Sequence, residues 1–295
     1  MWMLGGFTLR TSPFLASNPM KKLALFLTIW IVAGCTTGPD NLVVKNGYAV
    51  DTTHGSHAQN ERIRYLVLHY TVLDDDKSLE ALTTGGASAH YLALTTPAMH
   101  DQLPVVLQLV PEEKRAWHAG VSQWGNRTHL NDTSIGIEIV NAGFIEGPTG
   151  KLWFPYNQAQ LELIKQLAAD VIKRYAIEPQ NVVGHSDIAP LRKSDPGPLF
   201  PWQALSEQGI GAWPDAATVH KHLAERPEHQ VVAADVLLKA LAAYGYNVPQ
   251  SGVLDNETQQ VIRAFQMHFR PAAISGIPDA QTEAIALALV EKYRS

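Results

Sequence analysis

Two mostly apolar segments of this chain each end in a histidine, and they constrain its fold more than any other feature. Tyr65–Leu68 lead into His69, and Asn181–Gly184 lead into His185. Short runs of this kind are typical of strands buried within a sheet. Asp195 follows His185 by ten residues, in a loop rich in proline and glycine. We therefore expect a sheet that carries two imidazoles and a nearby carboxylate at its strand ends.

Two imidazoles and one carboxylate form a ligand set that zinc uses when one coordination position stays open for water. An open position indicates catalysis rather than a structural role, so the set favours a hydrolase. The spacing alone does not select the ligands, because His90, His118 and His129 are competing candidates.

The segments around these residues predict an α/β domain over residues 61–205, with a mixed central sheet flanked by helices. Further strands are expected at Val105–Val110 and Ser134–Val140. In the second of these, alternation places three isoleucines on one face and Glu138 on the other. Asn157 caps an expected helix that runs to Tyr175, with apolar residues at i, i+3 and i+4.

The C-terminal part of the chain predicts a separate small three-helix bundle over residues 230–295, after a linker with a short helix at 206–229. Its first helix covers Ala234–Tyr244 and ends at Gly245. The signal Asp-x-x-Thr then occurs twice, beginning at Asp255 and at Asp279, and each time it predicts a helix N-terminus.

The N-terminal 35 residues predict an export leader. Met20-Lys21-Lys22 precedes an apolar run that is too short for a confident membrane span, and we expect translation to start at Met20. The run ends at Cys35, the chain's only cysteine, in a sequence that resembles a bacterial lipobox. The resemblance implies lipidation of Cys35, and Thr36 after it favours an outer-membrane lipoprotein facing the periplasm. An uncleaved anchor helix is the alternative. Residues 36–60 predict a polar tether.

Composition and charge limit the class of partner. Hydrophobic residues make up 46% of the chain, which indicates a globular protein. The net charge is −5, and no basic stripe is present to follow phosphates, so we do not expect nucleic acid as a partner.

Six motifs occur in a fixed order along the chain. They are Leu66–Thr71, Ser88–Tyr91, Ala116–Gly120, Ser134–Glu138, Gly184–Pro190 and Arg192–Gly197. Together they resemble the zinc N-acetylmuramoyl-L-alanine amidases of the amidase_2 group, and in particular its lipoprotein members. The resemblance implies the fold that this group shares with peptidoglycan-recognition proteins. It also implies hydrolysis of the amide between N-acetylmuramic acid and L-alanine in peptidoglycan and muropeptides.

The same resemblance implies the roles of individual residues. One zinc ion per chain would be held by His69, His185 and Asp195, and Glu138 and Lys193 would be catalytic. Some members of the group use a cysteine as the third ligand, but the only cysteine here lies in the leader.

Physical chemistry supports a role for these two catalytic candidates. A carboxylate in an apolar strand is costly unless it is paired or used, which singles out Glu138. Lys193 precedes Asp195 by two residues, and in an extended loop both side chains point the same way. The ammonium of Lys193 is therefore expected to stabilise an oxyanion.

Two further features have less specific signals. Trp117 and His118 are candidates for the wall of a substrate groove, although packing in the core is an equal alternative for the tryptophan. The C-terminal bundle resembles the type 1 peptidoglycan-binding domain around Phe265-Gln266, and it could instead only stabilise the catalytic domain.

Two other functions are compatible with such a fold. A non-catalytic peptidoglycan-recognition module is disfavoured because all five candidate ligands and catalytic residues are present. A zinc peptidase that cuts within the stem peptide is disfavoured because the chain has no His-Glu-x-x-His segment.

Overall fold

A computed structural model describes residues 41–148, 150–249 and 253–294, so the leader and Cys35 lie outside the described residues. The chain divides into two compact units, residues 1–59 and 60–295. The described part of the first unit holds an antiparallel hairpin of β1 (Leu42–Val44) and β2 (Ala49–Asp51), which lies within the polar tether predicted over residues 36–60. Within the described ranges, no helix is both long and apolar enough to span a bilayer.

The second unit combines strands and helices. Its strands are β3 (Tyr65–Tyr70), β4 (Tyr91–Ala93), β5 (Met99–His100), β6 (Leu103–Pro104), β7 (Leu107–Gln108), β8 (Gln123–Trp124), β9 (Arg127–Thr128), β10 (Ser134–Ile139), β11 (Phe144–Gly147), β12 (Gly150–Trp153) and β13 (Val182–Gly184). Its helices are α1 (Asp75–Thr84), α2 (Gln158–Tyr175), α3 (His185–Ile188), α4 (Trp202–Ser206), α5 (Ala216–Leu223), α6 (Ala234–Tyr244), α7 (Asn256–Phe269) and α8 (Ala280–Tyr293).

A five-stranded mixed sheet forms the centre of this unit. The strand order is β13-β3-β10-β4-β7, in which the first four strands are parallel and β7 is antiparallel to β4. The predicted α/β fold with a mixed central sheet is therefore confirmed.

Helices cover both faces of the sheet. On one face, Ile135, Ile137 and Ile139 of β10 pack with buried apolar residues of α2. On the other face, Val67 and Val183 belong to a core cluster that also contains buried residues of α6, α7 and α8. The C-terminal helices thus share a core with the sheet.

The predicted helix starts agree with the structure. Asp255 accepts a hydrogen bond from the backbone N–H of Thr258 at 2.8 Å, and Asp279 accepts one from Thr282 at 2.9 Å. Asn157 likewise caps α2 through the N–H of Ala159. These caps satisfy backbone donors that a helix leaves free at its first turn.

Two local predictions were wrong. The strand expected over Val105–Val110 is reduced to β7. On its N-terminal side, Pro104 pairs in the separate β5–β6 hairpin. On its C-terminal side, the N–H groups of Leu109 and Val110 both donate to the carbonyl of His90, so the regular ladder ends there. His185 does not close a strand either: β13 ends at Gly184, and His185 is the first residue of α3.

Candidate metal centre

His69 and Glu138 are neighbours at the carboxyl ends of two parallel strands. The register of β3 and β10 places them directly opposite each other. His69 shares its strand face with Val67, while Glu138 lies opposite to the three isoleucines of β10, as alternation predicts.

His185 and Asp195 are joined by the start of α3. The carboxylate of Asp187 accepts a hydrogen bond from the N–H of Gly184 at 2.7 Å, which caps this short helix. The N–H of Ser186 donates to the carbonyl of Asp195 at 2.9 Å. This bond ties the loop that carries Asp195 to the first turn of α3, so the carboxylate of Asp195 lies beside His185.

Three side chains converge on one point. His69 Nδ1 lies 2.9 Å from His185 Nδ1, and each nitrogen lies 3.1 Å from Asp195 Oδ2. All three residues are buried, and they form a cluster whose geometry could hold a metal ion. Ligand atoms around a tetrahedral zinc lie roughly 3.3 Å apart, so the spacing is close to that of such a site.

A chain of hydrogen bonds determines which nitrogen of His69 carries its proton. Ser134 Oγ donates to the carbonyl of Leu130 at 2.7 Å, and it therefore accepts from His118 Nε2 at 3.1 Å. His118 Nδ1 is then an acceptor, and His69 Nε2 donates to it at 3.0 Å. The proton of His69 is consequently on Nε2, and Nδ1 presents a lone pair to the centre.

The same reasoning applies to His185. Its Nε2 lies 3.1 Å from the carbonyl oxygen of Ala119, which can only accept. The Nη2 group of Arg192 uses its two hydrogens on the carbonyls of Ala119 and Val121, and so does not compete. His185 therefore also presents the lone pair of Nδ1 to the centre.

Three electron-rich atoms without a hydrogen between them fit a cation. Burial, the first cause, and the neighbouring His185 lower the pKa of His69 to about 4, so its imidazole is neutral near pH 7. Burial acts to raise the pKa of Asp195, but His185 and His69 outweigh it and hold that pKa below its usual range. A neutral imidazole and an anionic carboxylate are the forms in which histidine and aspartate ligate metals.

Glu138 faces the same centre with an unsatisfied oxygen. Its Oε2 is buried and has no hydrogen-bond partner among the described residues. Burial and the charge of Asp195 raise the pKa of Glu138 to about 8, and Lys193 acts in the opposite direction. Such an orphaned carboxyl group beside a ligand cluster is a candidate for general acid–base catalysis.

A cavity of about 560 Å³ opens over these residues. Glu138, Asp195 and Lys193 line it together with apolar residues that include Val72 and Phe144. The N–H of Lys193 donates to the carbonyl of Ala189 at 3.1 Å, directly after the turn at residues 190–192. Lys193 lines the same cavity as Asp195.

Trp117 lies at the surface and His118 in the interior, and their expected place in the wall of a substrate groove stays a prediction. Trp117 is 53% exposed, carries Arg115 over its ring at 4.0 Å, and does not line the cavity above the cluster. His118 is buried behind His69. A Cβ atom at Gly136 would lie 2.4 Å from its ring, so the backbone of β10 packs directly on this imidazole.

The competing histidines have other partners. His90 accepts from the N–H of Gly136 through Nδ1 at 3.0 Å, and its Nε2 donates to the carbonyl of Lys114 at 3.1 Å. His129 is exposed. Ser134 and Asp187 also act in the site, through the bonds to His118 and Gly184, but neither is a ligand, and sequence gives no separate signal for them.

Comparison with known proteins gives consistent matches. Residues 59–198 match the model of the family described as N-acetylmuramoyl-L-alanine amidase, and residues 236–285 match that of a putative peptidoglycan binding domain. N-acetylmuramoyl-L-alanine amidase AmiD of Escherichia coli is 50% identical over 263 residues, which cover 89% of this chain and 95% of AmiD.

Solved structures extend this similarity. One is a complex of E. coli AmiD with anhydro-N-acetylmuramic acid-L-Ala-D-gamma-Glu-L-Lys, described as its substrate. It has a TM-score of 0.83 at 50% identity and covers 86% of this chain and 98% of that chain. Another is AmpDh3 from Pseudomonas aeruginosa in complex with an anhydromuramic pentapeptide, with a TM-score of 0.74 at 46% identity over 85% and 98% of the two chains.

Proposed function

The chain belongs to the N-acetylmuramoyl-L-alanine amidase family, and from this premise we propose that it hydrolyses the amide between N-acetylmuramic acid and L-alanine in peptidoglycan and muropeptides. The observation that carries the proposal is the convergence of His69, His185 and Asp195 below a cavity that Glu138 also lines. The two E. coli and P. aeruginosa complexes, each with an anhydromuramyl peptide, support muropeptides as substrates.

We propose one zinc ion per chain as the cofactor, held by His69 Nδ1, His185 Nδ1 and Asp195 Oδ2. When bound, such an ion acidifies water and polarises a carbonyl group. In this proposal Glu138 accepts the proton of the attacking water and returns it to the leaving amine of L-alanine. Lys193 supplies a cation on the cavity wall, where the substrate oxygen gains charge.

Attachment to the outer membrane belongs to the same proposal. It is supported by the lipobox that ends at Cys35 and by a substrate that lies in the cell envelope. Growth with labelled palmitate is expected to label the wild type and not Cys35→Ser. Label that persists in the variant contradicts lipidation at this residue.

Product analysis on a defined muramyl peptide tests the reaction. Mass spectrometry is expected to detect free peptide with an L-alanine N-terminus, and a chelator is expected to stop its release. Products cut within the peptide would instead identify a peptidase. If no product forms, the chain is a non-catalytic recognition module.

Glu138→Ala is expected to keep stoichiometric zinc and lose turnover, so full activity in that variant contradicts the role of Glu138.

Substitution of Lys193 tests the oxyanion role. Lys193→Ala is expected to lower kcat by about two to three orders of magnitude, the effect of losing an oxyanion donor. Lys239→Ala, which removes an exposed lysine of α6, serves as the control. If kcat falls by less than about threefold in Lys193→Ala, Lys193 is a solvated side chain without a role in stabilising the oxyanion.

A further inference from the structure

A second cavity continues from the metal centre towards the C-terminal helices. It has a volume of about 650 Å³ and lies between the β11–β12 hairpin, the loop at residues 190–194 and helix α7. Four residues line both cavities: Lys151, Arg192, Lys193 and Ser194. We call this second cavity the basic groove, and through these shared residues it adjoins the cavity above the metal centre.

The charge of the groove has one sign. Lys151, Arg192, Lys193 and Arg263 line it, and no acidic side chain of the described residues does so. The ion pairs found in the described part of the chain use other cations. In a chain with a net charge of −5, this concentration of unpaired cations is a local exception.

Uncharged groups hold Lys151 and Arg263 in place. Lys151 Nζ lies 3.8 Å from the centre of the Phe144 ring, and Arg263 donates to Gln259 Oε1 at 3.3 Å. Arg263 also lies against Gly276, where a Cβ atom would come within 2.9 Å of its side chain. Neutral partners position a cation without neutralising it, so both side chains remain able to bind an anion.

The groove also offers apolar surface, from Trp153, Met267 and Ile274. Cations above an apolar floor suit an extended peptide that carries carboxylates, because its side chains bury apolar area while the carboxylates pair with the charges. Uncharged sugar rings offer no counter-charge to Lys151 and Arg263, the two groove cations that are not already engaged by the carbonyl contacts of Arg192 or the catalytic role proposed for Lys193. The substrate proposed above has such a peptide, in which a γ-linked glutamate leaves its α-carboxylate free.

We propose that the basic groove is a subsite for the carboxylates of the stem peptide, with Arg263 of the C-terminal bundle as a specificity-determining residue. This inference rests on the proposed function. It assigns the C-terminal bundle a direct contact with the peptide of the substrate being cut.

Kinetics on two matched substrates test the proposal. One is a muramyl peptide with free carboxylates, and the other is the same compound with these groups converted to carboxamides. Arg263→Ala is expected to raise KM about tenfold for the acidic substrate, with kcat unchanged, and to leave the carboxamide unaffected. Arg263→Lys is expected to recover most of the loss, and Lys239→Ala, outside the groove, to behave as wild type.

An unchanged KM in Arg263→Ala overturns the proposal, and so does an equal rise for both substrates, which would indicate contact with the sugar. Failure of the proposed function is recognised separately, since the wild type would then cleave neither substrate. In that case, calorimetry with the free tripeptide L-Ala-D-γ-Glu-L-Lys replaces kinetics. About tenfold weaker binding to Arg263→Ala supports the subsite, and equal binding overturns it.

Discussion

His118 is outside the proposed ligand set, yet it determines which nitrogen of His69 faces the centre. It accepts the Nε2–H of His69 and donates to Ser134, so its own tautomer is fixed by the carbonyl of Leu130. Burial lowers the pKa of His118 well below its ordinary value, which keeps the ring neutral and able to accept. Partners of this kind orient a metal ligand and increase its basicity.

Substitution of His118 is therefore expected to weaken zinc binding. His118→Ala should lower zinc affinity by about 10- to 100-fold in a competition titration with a chromogenic chelator. His118→Gln retains an acceptor and a donor and should recover part of this affinity. Unchanged affinity in His118→Ala would contradict the orienting role.

Glu138 makes the stability of the metal-free protein depend on pH. Its pKa is raised to about 8 in the folded chain, above the unfolded value of 4.5, so between these values the folded state binds more protons. Stability contributed by the protonated group is present below pH 4.5 and is lost as pH rises through 8.

Glu138→Gln removes this dependence. In metal-free protein, urea unfolding should show that the variant gains at least about 1 kcal/mol relative to wild type between pH 5 and pH 8. A difference between variant and wild type that is the same at both pH values would contradict the raised pKa.

At the scale of elements, helix α3 connects the metal centre to the C-terminal bundle. Asp187 is fully buried in this helix and accepts from Tyr246 Oη at 2.6 Å and from His268 Nδ1 at 2.8 Å. The ring of His268 stacks on that of Trp202, with 3.9 Å between the ring centres. Two donors from the C-terminal part of the chain thus hold the carboxylate that caps the helix beginning at His185.

Removal of one donor should destabilise the protein. Tyr246→Phe keeps the ring but leaves an Asp187 oxygen unsatisfied, and it is expected to lower the free energy of unfolding by about 1–3 kcal/mol in urea. Tyr48→Phe, at an exposed tyrosine of the first unit, is the matched control. Equal stability of both variants would show that this bond contributes nothing net.

Sequence patterns predicted the positions of secondary-structure elements better than the tertiary contacts of individual residues. The cap signals at Asp255 and Asp279 are local, so they located the starts of α7 and α8 correctly. The place of His185 depends on the bond by which Asp187 caps α3, which an apolar run does not signal, so the run predicts a strand that is one residue too long. Sequence does not reveal which side of a neighbouring strand a loop packs against, so it does not predict that His118 lies behind His69.

At the scale of the whole molecule, the C-terminal helices share one hydrophobic core with a face of the central sheet. Apolar periodicity predicted buried faces on its helices but not what covers them. The structure buries Phe265 and Leu241 in one core cluster with Val67 of β3 and Val183 of β13. The domain boundaries predicted at 205, 229 and 230 remain a prediction, while residues 60–295 form a single compact unit.

The proposed catalytic roles and the substrate groove depend on the metal centre. A crystal structure of the zinc-loaded protein, with anomalous diffraction at the zinc edge, tests it most directly. We expect one zinc peak per chain, with His69 Nδ1, His185 Nδ1 and Asp195 Oδ2 each at about 2.0–2.2 Å. A peak elsewhere, or coordination through Nε2 of either histidine, would contradict the hydrogen-bond argument from which the centre is derived.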